Sequence, residues 1–363
     1  MKHLVLLGGG HAHIHVLRDL AEPRLPGARI TLVSPFPRLA YSGMVPGVVA
    51  GHYEPGDCLI GLEPLAAAAQ AEFKQTTATA LDAAARTVTL ASGDVLHYDV
   101  LSVDVGGVID RDAIPGARER ALFVRPMEHF VRLWQDLLAL AQQRTLSVVV
   151  IGGGAAGVEL AMALQHRLDG RARVSLLTGG PPAMASYPQK VQWRAARALK
   201  RRGVTLLEDG CAEVADGHVV LSRGGRLSCD APVVAIGSSA PPWLRGSGLA
   251  LAAQGFIATG ATLQSTSHPE VFAAGDVTSR VDALRPKSGV YAVRAGPPLA
   301  LNLRRFVAGG ALQPYSPQPR SLNLLSCGTR HAIASWGDWS AEGRWVWLWK
   351  DRIDRAFVKQ FSS

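Results

Sequence analysis

The alternation of apolar and small residues repeats in two parts of the chain. An apolar run at residues 4–7 leads into three glycines, and a second run at residues 147–151 leads into the glycines that begin at Gly152. In each part an amphipathic stretch and another apolar run follow, and these second runs end at Ser34 and Thr178, equally far from the first glycine. A buried strand, a glycine turn and a helix start a dinucleotide-binding unit, in which backbone N–H groups approach a pyrophosphate. The pattern predicts two such units.

The same periodicity predicts the elements between and after these units. Apolar residues at helical spacing predict helices at about 11–21, 127–143, 155–168, 189–202 and 290–308, the last interrupted at Pro297 and Pro298. Short apolar runs predict strands at about 28–34, 87–90, 95–103, 172–178, 205–207, 219–221, 232–236 and 271–273. Strands that alternate with helices are typical of an α/β fold with parallel sheets.

Size and composition agree with a folded α/β protein. The chain has 363 residues, of which 48% are hydrophobic and 18% charged, and this balance excludes wholesale disorder. The first predicted strand begins by residue 4, which leaves no room for a signal peptide, and no apolar run approaches the roughly 18–20 residues of a spanning helix. We therefore expect a cytoplasmic protein. The four cysteines have neither paired nor zinc-type spacing, so we predict neither a disulfide framework nor a zinc site.

The net charge of +9 does not by itself identify a partner. Apart from Lys200, Arg201 and Arg202 the basic residues are scattered, and no nucleic-acid-binding module with interleaved aromatic residues is present. We expect most of the excess charge on the solvated surface. The sequence therefore predicts no nucleic-acid partner and favours a small-molecule one.

The two glycine turns follow the G-x-G-x-x-G pattern to different degrees. The second turn is complete, whereas the first has His13 at the third position, which is normally small so that the helix packs closely on its strand. Ser34 and Thr178 stand where an acid usually binds the ribose hydroxyls. A hydroxyl binds ribose more weakly than a carboxylate does, and it does not exclude a 2′-phosphate. The choice between NADH and NADPH therefore stays open.

A third motif, at residues 267–276, is more specific than either glycine turn. It reads Ser-His-Pro-Glu-Val-Phe-Ala-Ala-Gly-Asp and resembles the late flavin-binding motif of flavoproteins with two dinucleotide-binding domains. With this motif the chain resembles the pyridine nucleotide-disulphide oxidoreductase superfamily, in the branch of type II NADH dehydrogenases and sulfide:quinone reductases. Residues 8–13 and 41–47 also resemble the flavoprotein module that is fused to some selenide, water dikinases.

This resemblance implies an α/β fold of two Rossmann-like domains with a short C-terminal cap. The FAD-binding domain would be split into residues 1–112 and 245–315, around an NAD(P)H-binding domain at 113–244, with the cap at 316–363. The implied FAD-binding residues are Gly8, Gly10, His11, Ser34, Arg38, Ser42, Gly43, Pro46, Gly275, Asp276, Gly289 and Val290. The implied NAD(P)H-binding residues are Gly152, Gly154, Ala155, Gly157, Thr178 and Gly237. The implied activity is hydride transfer from NADH or NADPH to FAD, followed by electron delivery to a small-molecule acceptor.

Two charged residues are candidates for a catalytic role. Glu159 matches an acid that lies near the flavin–nicotinamide contact in the resembling proteins, but an acid early in a helix also interacts favourably with the helix dipole. Lys287, together with Arg294, would place positive charge near the pyrimidine edge of the flavin, or would be ordinary surface charge. Both pairs of alternatives stay open.

Departures from the family pattern bear on the electron acceptor. Residues 38–50 contain no cysteine, so the chain cannot pass electrons through a redox dithiol beside the flavin. Type II NADH dehydrogenases have two glutamines in a stretch that borders their quinone site. In this chain the matching residues, 289–294, contain no glutamine, which weakens the case for a quinone as the electron acceptor. The expected acceptor is a small, quinone-like molecule. The alternatives are a sulfur- or selenium-species oxidoreductase, with Cys58 and Cys327 as candidate residues, and a non-catalytic flavin-binding redox sensor.

Two further features have more than one interpretation. His11 and His15 share a helix face, but a helix N-terminus disfavours a cation, so we predict no metal site.

In the tail, Trp345, Trp347 and Trp349 would share one face of a strand, which favours interior packing or a homodimer contact. As an amphipathic helix, the same tail would lie on a membrane surface and make the protein membrane-peripheral.

Overall fold

The N-terminal part of the fold alternates strands and helices as the apolar pattern predicts. The computed structural model describes residues 1–362. The first elements are β1 (Lys2–Leu7), α1 (His11–Ala21), β2 (Ala28–Val33), β3 (Arg38–Ala40), α2 (Val45–Val49), β4 (Leu59–Gly61), α3 (Leu62–Ala68), β5 (Glu72–Lys74), β6 (Ala78–Asp82), β7 (Thr87–Leu90), β8 (Val95–His97) and β9 (Val100–Val103). A short 3-10 helix at Pro55–Cys58 precedes β4.

The middle of the chain contains the second repeat. Its elements are α4 (Ala117–Arg120), β10 (Leu122–Phe123), α5 (Met127–Gln143), β11 (Leu146–Ile151), α6 (Ala155–Arg167), β12 (Ala172–Leu177), α7 (Gln189–Arg202), β13 (Thr205–Leu207), β14 (Cys211–Ala215), β15 (His218–Leu221), β16 (Arg226–Ser228) and β17 (Ala231–Val234). The predicted helices at 127–143 and 189–202 are confirmed at both ends.

The last part of the chain returns to the first sheet and then forms a separate layer. Its elements are β18 (Ile257–Thr259), β19 (Val271–Ala273), β20 (Thr278–Arg280), α8 (Gly289–Ala308), β21 (Asn323–Cys327), β22 (Thr329–Trp336), β23 (Trp339–Gly343) and α9 (Arg344–Lys359). Short 3-10 helices lie at Pro242–Gly246 and Gly275–Val277.

Two parallel sheets carry the two glycine turns. The first sheet has the strand order β19-β9-β1-β2-β5, and the second has the order β10-β17-β11-β12-β13. Leu4 pairs with Ile30 and Val148 pairs with Val174, so equivalent positions of the two repeats pair in the same register. Ligands of open parallel sheets bind at the carboxyl ends of the strands. Each glycine turn lies at that edge of its sheet, which confirms the predicted α/β fold with two Rossmann-like units.

The first sheet is completed by a strand that is distant in sequence. In β19, Val271 pairs with Leu101 of β9, although the whole second sheet lies between these strands in the chain. The late motif at 267–276 is thereby placed beside the first glycine turn. The pairing agrees with a split FAD-binding domain, whose boundaries stay a prediction.

Two of the later helices differ from what the sequence pattern predicts. The predicted interruption of the 290–308 helix is wrong, because α8 continues through Pro297 and Pro298. Each proline removes an N–H donor and crowds the preceding turn, and burial of Leu299 and Leu303 in the core offsets that cost. The tail forms the helix α9 rather than a strand, so Val346 and Trp347 are buried while Trp345 and Trp349 are exposed.

The hydrophobic cores lie on the faces of the two parallel sheets. Leu4, Ile14 and Leu32 belong to a core between the first sheet, α1 and α8, whereas Val148 and Leu176 belong to the core of the second sheet. Across residues 1–362, none of the helices has the length and apolar character needed to cross a membrane.

Candidate functional site

A cleft of about 540 Å³ opens at the carboxyl ends of the strands of the first sheet. The predicted FAD-binding residues that line it are Gly8, Gly10, His11, Ser34, Arg38, Ser42, Asp276 and Gly289. They come from four separate stretches of the chain. Residues 104–109 and 125–129 complete the walls. The cleft therefore brings together the first glycine turn and the late motif, as the resemblance implies.

Asp104 lies so close to the first glycine turn that Gly8 and Gly10 leave no room for a side chain. A Cβ at Gly8, which has φ +98°, would overlap the Asp104 carbonyl, and a Cβ at Gly10 would overlap the Asp104 carboxylate. The departure at His13 is accommodated by hydrogen bonds: its Nδ1 lies 2.6 Å from the Gly8 carbonyl, and its Nε2 lies 2.8 Å from Ser102 Oγ. The larger side chain therefore ties α1 to β1 and β9 at a position where glycine normally allows close packing.

Asp104 is a component of the site that sequence reasoning missed. Its Oδ2 accepts hydrogen bonds from the backbone N–H groups of Ala12 (2.8 Å) and His13 (3.0 Å), so it caps the first turn of α1. Burial raises the pKa of Asp104 to about 7, and the nearby negative charge of Asp276 adds to the shift. An acid directly after the buried run 100–103 was the available signal, because that strand ends at the edge where ligands bind.

Asp276 is held by an arginine from the other side of the cleft. Arg125 Nη2 donates a hydrogen bond to Asp276 Oδ2 at 2.9 Å, and the Asp276 side chain is only 11% exposed. Gly275 lies directly beneath Asp104, because a Cβ there would come within 2.6 Å of Asp104 Oδ1. Arg125 was also missed, since nothing near it in the sequence distinguishes it from other arginines.

His11 has a polar atom that the protein leaves without a partner. Its Nε2 is buried and has no hydrogen-bond partner among residues 1–362. The ring packs between Tyr41, at 5.7 Å between ring centroids, and Phe357, at 6.4 Å. Burial lowers the pKa of His11 to about 4, so the imidazole is neutral near pH 7. An unpaired ring nitrogen in the cleft wall fits a hydrogen bond to FAD.

The loop around the implied FAD-binding residues Ser42 and Gly43 is fixed by the C-terminal helix. Lys350 Nζ, in α9, donates hydrogen bonds to the Gly43 carbonyl and to Asp354 Oδ2, both at 2.6 Å. Tyr41 Oη donates to the other oxygen of Asp354 at 3.3 Å. Lys350 and Asp354 are buried, so this ion pair is shielded from solvent. Sequence reasoning did not connect the tail with this loop.

Other predicted residues of this region lie close by. Ser42 faces Gly289 across the cleft, because a Cβ on Gly289 would lie 3.3 Å from Ser42 Oγ. Pro46 is buried in α2, and Val290 stands in the first turn of α8. Neither Pro46 nor Val290 is part of the cleft wall.

The second glycine turn is built for the close packing of backbone on backbone. A Cβ at Gly152 would overlap the Ala235 carbonyl, and a Cβ at Gly157 would overlap the Gly152 carbonyl. A Cβ at Gly154, in contrast, would meet no protein atom within 4 Å. Open space at the N-terminus of α6 is what an approaching pyrophosphate requires.

Three more predicted residues surround this turn. Ala155 is the first residue of α6, and Gly237 follows β17 by a few residues. Thr178 lies at the end of β12, and its Oγ1 is buried with no hydrogen-bond partner in the part of the chain that is described. This unpaired hydroxyl stands at the position expected to contact a ribose.

Glu159 faces the C-terminal layer. Its Oε1 accepts a hydrogen bond from the backbone N–H of Ser326 at 2.7 Å. Burial raises the pKa of Glu159 to about 7, whereas the positive charge of Lys350 opposes the shift. The carboxylate can therefore be protonated or charged near neutral pH.

Lys287 lies outside the wall of the cleft, against a smaller neighbouring cavity. Its ammonium group donates to the Thr278 carbonyl and lies 3.8 Å from the centre of the Phe256 ring. Burial lowers the pKa of Lys287 to about 8. Its charge is therefore directed into the interior rather than onto the open surface.

The cysteines take no part in the cleft. None of the four lines it in the region that the structure describes. Cys58 donates to the Pro55 carbonyl at 3.2 Å, and burial raises its pKa to about 11. Burial, together with the charge of Glu159, raises the pKa of Cys327 to about 12. Both side chains are therefore thiols at neutral pH, and a thiol is a poor nucleophile.

One face of α9 exposes large apolar side chains. The exposed fractions are 52% for Trp345 and Leu348, 38% for Trp349 and 40% for Ile353. We call these four residues the α9 apolar surface. The tail is therefore a helix with one exposed apolar side, while Val346 and Trp347 pack in the interior.

Comparison with known proteins agrees with this geometry. The model of the family described as pyridine nucleotide-disulphide oxidoreductase matches residues 2–296. The chain is 26% identical over 348 residues to a demethylphylloquinone reductase of Synechocystis sp., which covers 92% of this chain and 86% of the relative. It is 30% identical over 222 residues to an alternative NAD(P)H-ubiquinone oxidoreductase of Arabidopsis thaliana, covering 54% of this chain and 43% of the relative.

A solved structure shares the fold over almost the entire chain. The sulfide:quinone oxidoreductase of Aquifex aeolicus superimposes with a TM-score of 0.83 at 19% identity, covering 99% of this chain and 91% of the other. The narrower resemblance to the module fused to selenide, water dikinases stays a prediction. The chain belongs to the pyridine nucleotide-disulphide oxidoreductase family and is an oxidoreductase that depends on FAD and NAD(P)H.

Proposed function

We propose that this protein takes hydride from NADH or NADPH onto FAD and passes two electrons directly to a small, quinone-like acceptor, without a redox dithiol. When bound, FAD supplies the hydride acceptance and the electron delivery. The observation that carries the proposal is the cleft itself: it joins the first glycine turn to Asp276 and contains no cysteine among its lining residues. The oxidoreductases named above for quinone substrates support the class of acceptor.

We assign the FAD-binding domain to residues 1–112 and 245–315. Gly8 and Gly10 let the backbone approach a pyrophosphate, and Asp104 caps the helix that follows. Asp276, oriented by Arg125, offers a carboxylate to the hydroxyl groups of the ribityl chain. His11 offers an unpaired ring nitrogen, and Arg38 and Ser34 line the end of the cleft near β2.

We assign the NAD(P)H-binding domain to residues 113–244, with Gly152, Gly154 and Gly157 at its centre. Thr178 would contact the ribose through its unpaired hydroxyl. No acid stands at that position to repel a 2′-phosphate, so we expect both NADH and NADPH to act as donors.

Four side chains from different elements of the fold would serve the electron transfer. Lys350 holds the loop around Gly43 in place, and Tyr41 is fixed by Asp354. Glu159 can hold or release a proton near pH 7, as a two-electron acceptor that also takes up protons requires. Lys287 would add positive charge behind Asp276, which favours negative charge on a cofactor.

The α9 apolar surface supports a peripheral membrane contact. Four exposed apolar residues lie on one side of the helix, and the basic residues Arg352, Arg355 and Lys359 are exposed nearby. Such a helix binds a membrane interface through its apolar side, with basic groups near the lipid headgroups. A helix bound in this way would bring the cap, and the loop around Gly43 that Lys350 holds, close to an acceptor dissolved in the lipid. A homodimer contact through the same surface is the competing outcome.

Stopped-flow reduction of the purified FAD-loaded protein tests the proposal. We expect NADH and NADPH each to bleach the flavin absorbance under anaerobic conditions, and a soluble quinone then to restore it. Failure of both nucleotides to bleach the flavin would exclude the proposed reaction. Bleaching without re-oxidation by quinones, but with re-oxidation by sulfur or selenium compounds, would instead identify the alternative acceptor class.

A further inference from the structure

A second, smaller cavity lies behind the cleft. Asp276 and Ala292 line both spaces, so they form the partition between them. The small cavity has a volume of about 60 Å³. A single water needs at least roughly 10–15 Å³ of such volume, so about four to six water-sized groups fit inside. That is the size of a small oxoanion or a short carboxylate, and it is far too small for a nucleotide.

The walls of this cavity are rich in positive charge. Arg280, Arg285 and Lys287 all line it. Among the lining residues that the structure describes, one, Asp276, carries a carboxylate, and it is already paired with Arg125 of the cleft. Asp282, just outside, pairs with Arg280 through contacts of 2.8 Å and 2.6 Å. The charge of Asp276 also acts on Lys287. Three positive side chains therefore line the cavity together with one carboxylate, and that carboxylate is already paired with Arg125.

Two polar atoms in this wall lack partners. Arg280 Nη1 and Tyr315 Oη are both buried without a hydrogen-bond partner within residues 1–362. The Arg280 side chain is only 9% exposed, and its guanidinium carbon lies 5.8 Å from the centre of the Tyr315 ring. An unpaired guanidinium N–H in the interior is costly, because a buried donor normally finds an acceptor.

The chemistry of these groups selects one kind of ligand. Guanidinium and ammonium groups only donate hydrogen bonds, and the Tyr315 hydroxyl lies among arginines, where donating to an anion is its favourable role. Donors without matching acceptors are the pattern of an anion site. We propose that this cavity binds a small oxoanion or a small carboxylate through Arg280 and Tyr315, with Lys287 and Arg285 supplying charge.

Anion binding at this site does not require the proposed electron transfer, although Lys287 would contribute charge to both. Its ligand would lie on the far side of Asp276 from the cleft, so it would be bound at the same time as FAD. Anion binding can therefore be measured in the FAD-loaded protein whether or not a nicotinamide nucleotide reduces the flavin. If neither nucleotide reduced the flavin, the anion-binding proposal would stand. If no anion bound, the proposed electron transfer would stand.

Calorimetric titration of the FAD-loaded protein with sodium sulfate tests the site, with sodium acetate as the carboxylate arm and sodium chloride holding the ionic strength constant. We expect saturable binding of one sulfate or acetate per chain. Tyr315→Phe keeps the ring beside Arg280 and removes one donor, so the affinity should fall about tenfold. Arg280→Gln should abolish binding. Arg223→Gln, at an exposed arginine of the β15–β16 turn, is the matched control and should leave the affinity unchanged.

Three outcomes would overturn the proposal. The first is heat that rises linearly with sulfate and acetate without saturation. The second is equal affinity in the wild type and Tyr315→Phe. The third is an equal loss in Arg223→Gln, which would indicate general attraction by the net charge. Arg280→Gln also removes the partner of Asp282, so the FAD content and the melting temperature of this variant are measured in parallel. If Arg280→Gln does not fold, the comparison of the wild type with Tyr315→Phe decides the question.

Discussion

Arg125 donates a hydrogen bond to Asp276 at 2.9 Å, although 151 positions separate the two residues in the chain. Asp276 belongs to the motif at the end of β19, and Arg125 follows β10 of the second sheet. The pair lies at the wall of the cleft and couples the orientation of the proposed ribityl-binding carboxylate to the second parallel sheet. Removal of Arg125 would cost more than removal of one partner of a surface pair, because it would leave the Asp276 carboxylate, which is only 11% exposed, without its partner.

Arg125→Gln should weaken FAD binding. A hydrogen bond between charged groups contributes about 1.5–3 kcal/mol, so the loss corresponds to roughly a 10- to 100-fold higher dissociation constant for FAD. Quenching of FAD fluorescence during titration of the apoprotein measures this constant. Arg118→Gln, at an exposed arginine paired with Asp112 outside the cleft, is the control. An unchanged constant for Arg125→Gln, together with a raised one for Asp276→Asn, would show that Arg125 does not orient Asp276.

Gly154→Ala should impair use of the nicotinamide nucleotides without disturbing the fold. The added methyl would meet no protein atom within 4 Å and the backbone is extended, so only the space for a ligand is reduced. We expect the KM for NADH and NADPH to rise at least tenfold, with little change in FAD content or melting temperature. Gly56→Ala, at another open glycine, is the matched control. Normal KM values for Gly154→Ala would argue against nucleotide binding at the second turn.

Glu159 should make the stability of the protein depend on pH. Its pKa is about 7 in the folded state against an ordinary value of 4.5, so between these values the folded state holds a proton that the unfolded chain has released. The free energy of unfolding should therefore fall as the pH rises through this window, by up to about 1.4 kcal/mol per pH unit. Asp104 contributes with the same sign, because burial raises its pKa as well.

Glu159→Gln keeps an oxygen to accept from Ser326 and cannot titrate. Urea unfolding at several pH values between about 5 and 8 should show a shallower decline for this variant than for the wild type. Glu213→Gln, at an exposed glutamate of β14, should match the wild type. Parallel curves for the wild type and Glu159→Gln would mean that the carboxylate is charged throughout this range.

The α9 apolar surface should bind anionic lipid vesicles. Each exposed tryptophan face buries on the order of 100 Å² on insertion, which contributes about 2.5 kcal/mol. Replacing Trp345 and Trp349 together by serine should lower the vesicle partition coefficient at least 100-fold in a co-sedimentation assay. Trp193→Ser, at a tryptophan that is 59% exposed on α7, should change it little. The surface is a homodimer contact instead if the wild type does not bind vesicles and light scattering shows a dimer for the wild type but a monomer for the double variant.

Much of the fold was predictable because its signals are local. The glycines that begin at Gly8 and Gly152 follow buried apolar runs and precede amphipathic helices, and this succession has few structural solutions. Helix periodicity located α5 and α7 to the residue. It failed at Pro297 and Pro298, because the local cost of proline is outweighed by burial on either side, which a local pattern does not report.

The sequence by itself determined the α/β class, the two nucleotide-binding turns and the motif that ends at Asp276, because each depends on neighbours a few positions away. Only the tertiary structure decided which residues complete the site. Arg125, Asp104 and Lys350 reach the cleft from elements far apart in the chain, and their roles depend on distances and burial that no sequence spacing encodes. The physical reason is that strand pairing and core packing, rather than chain proximity, bring charged groups together where solvent is excluded.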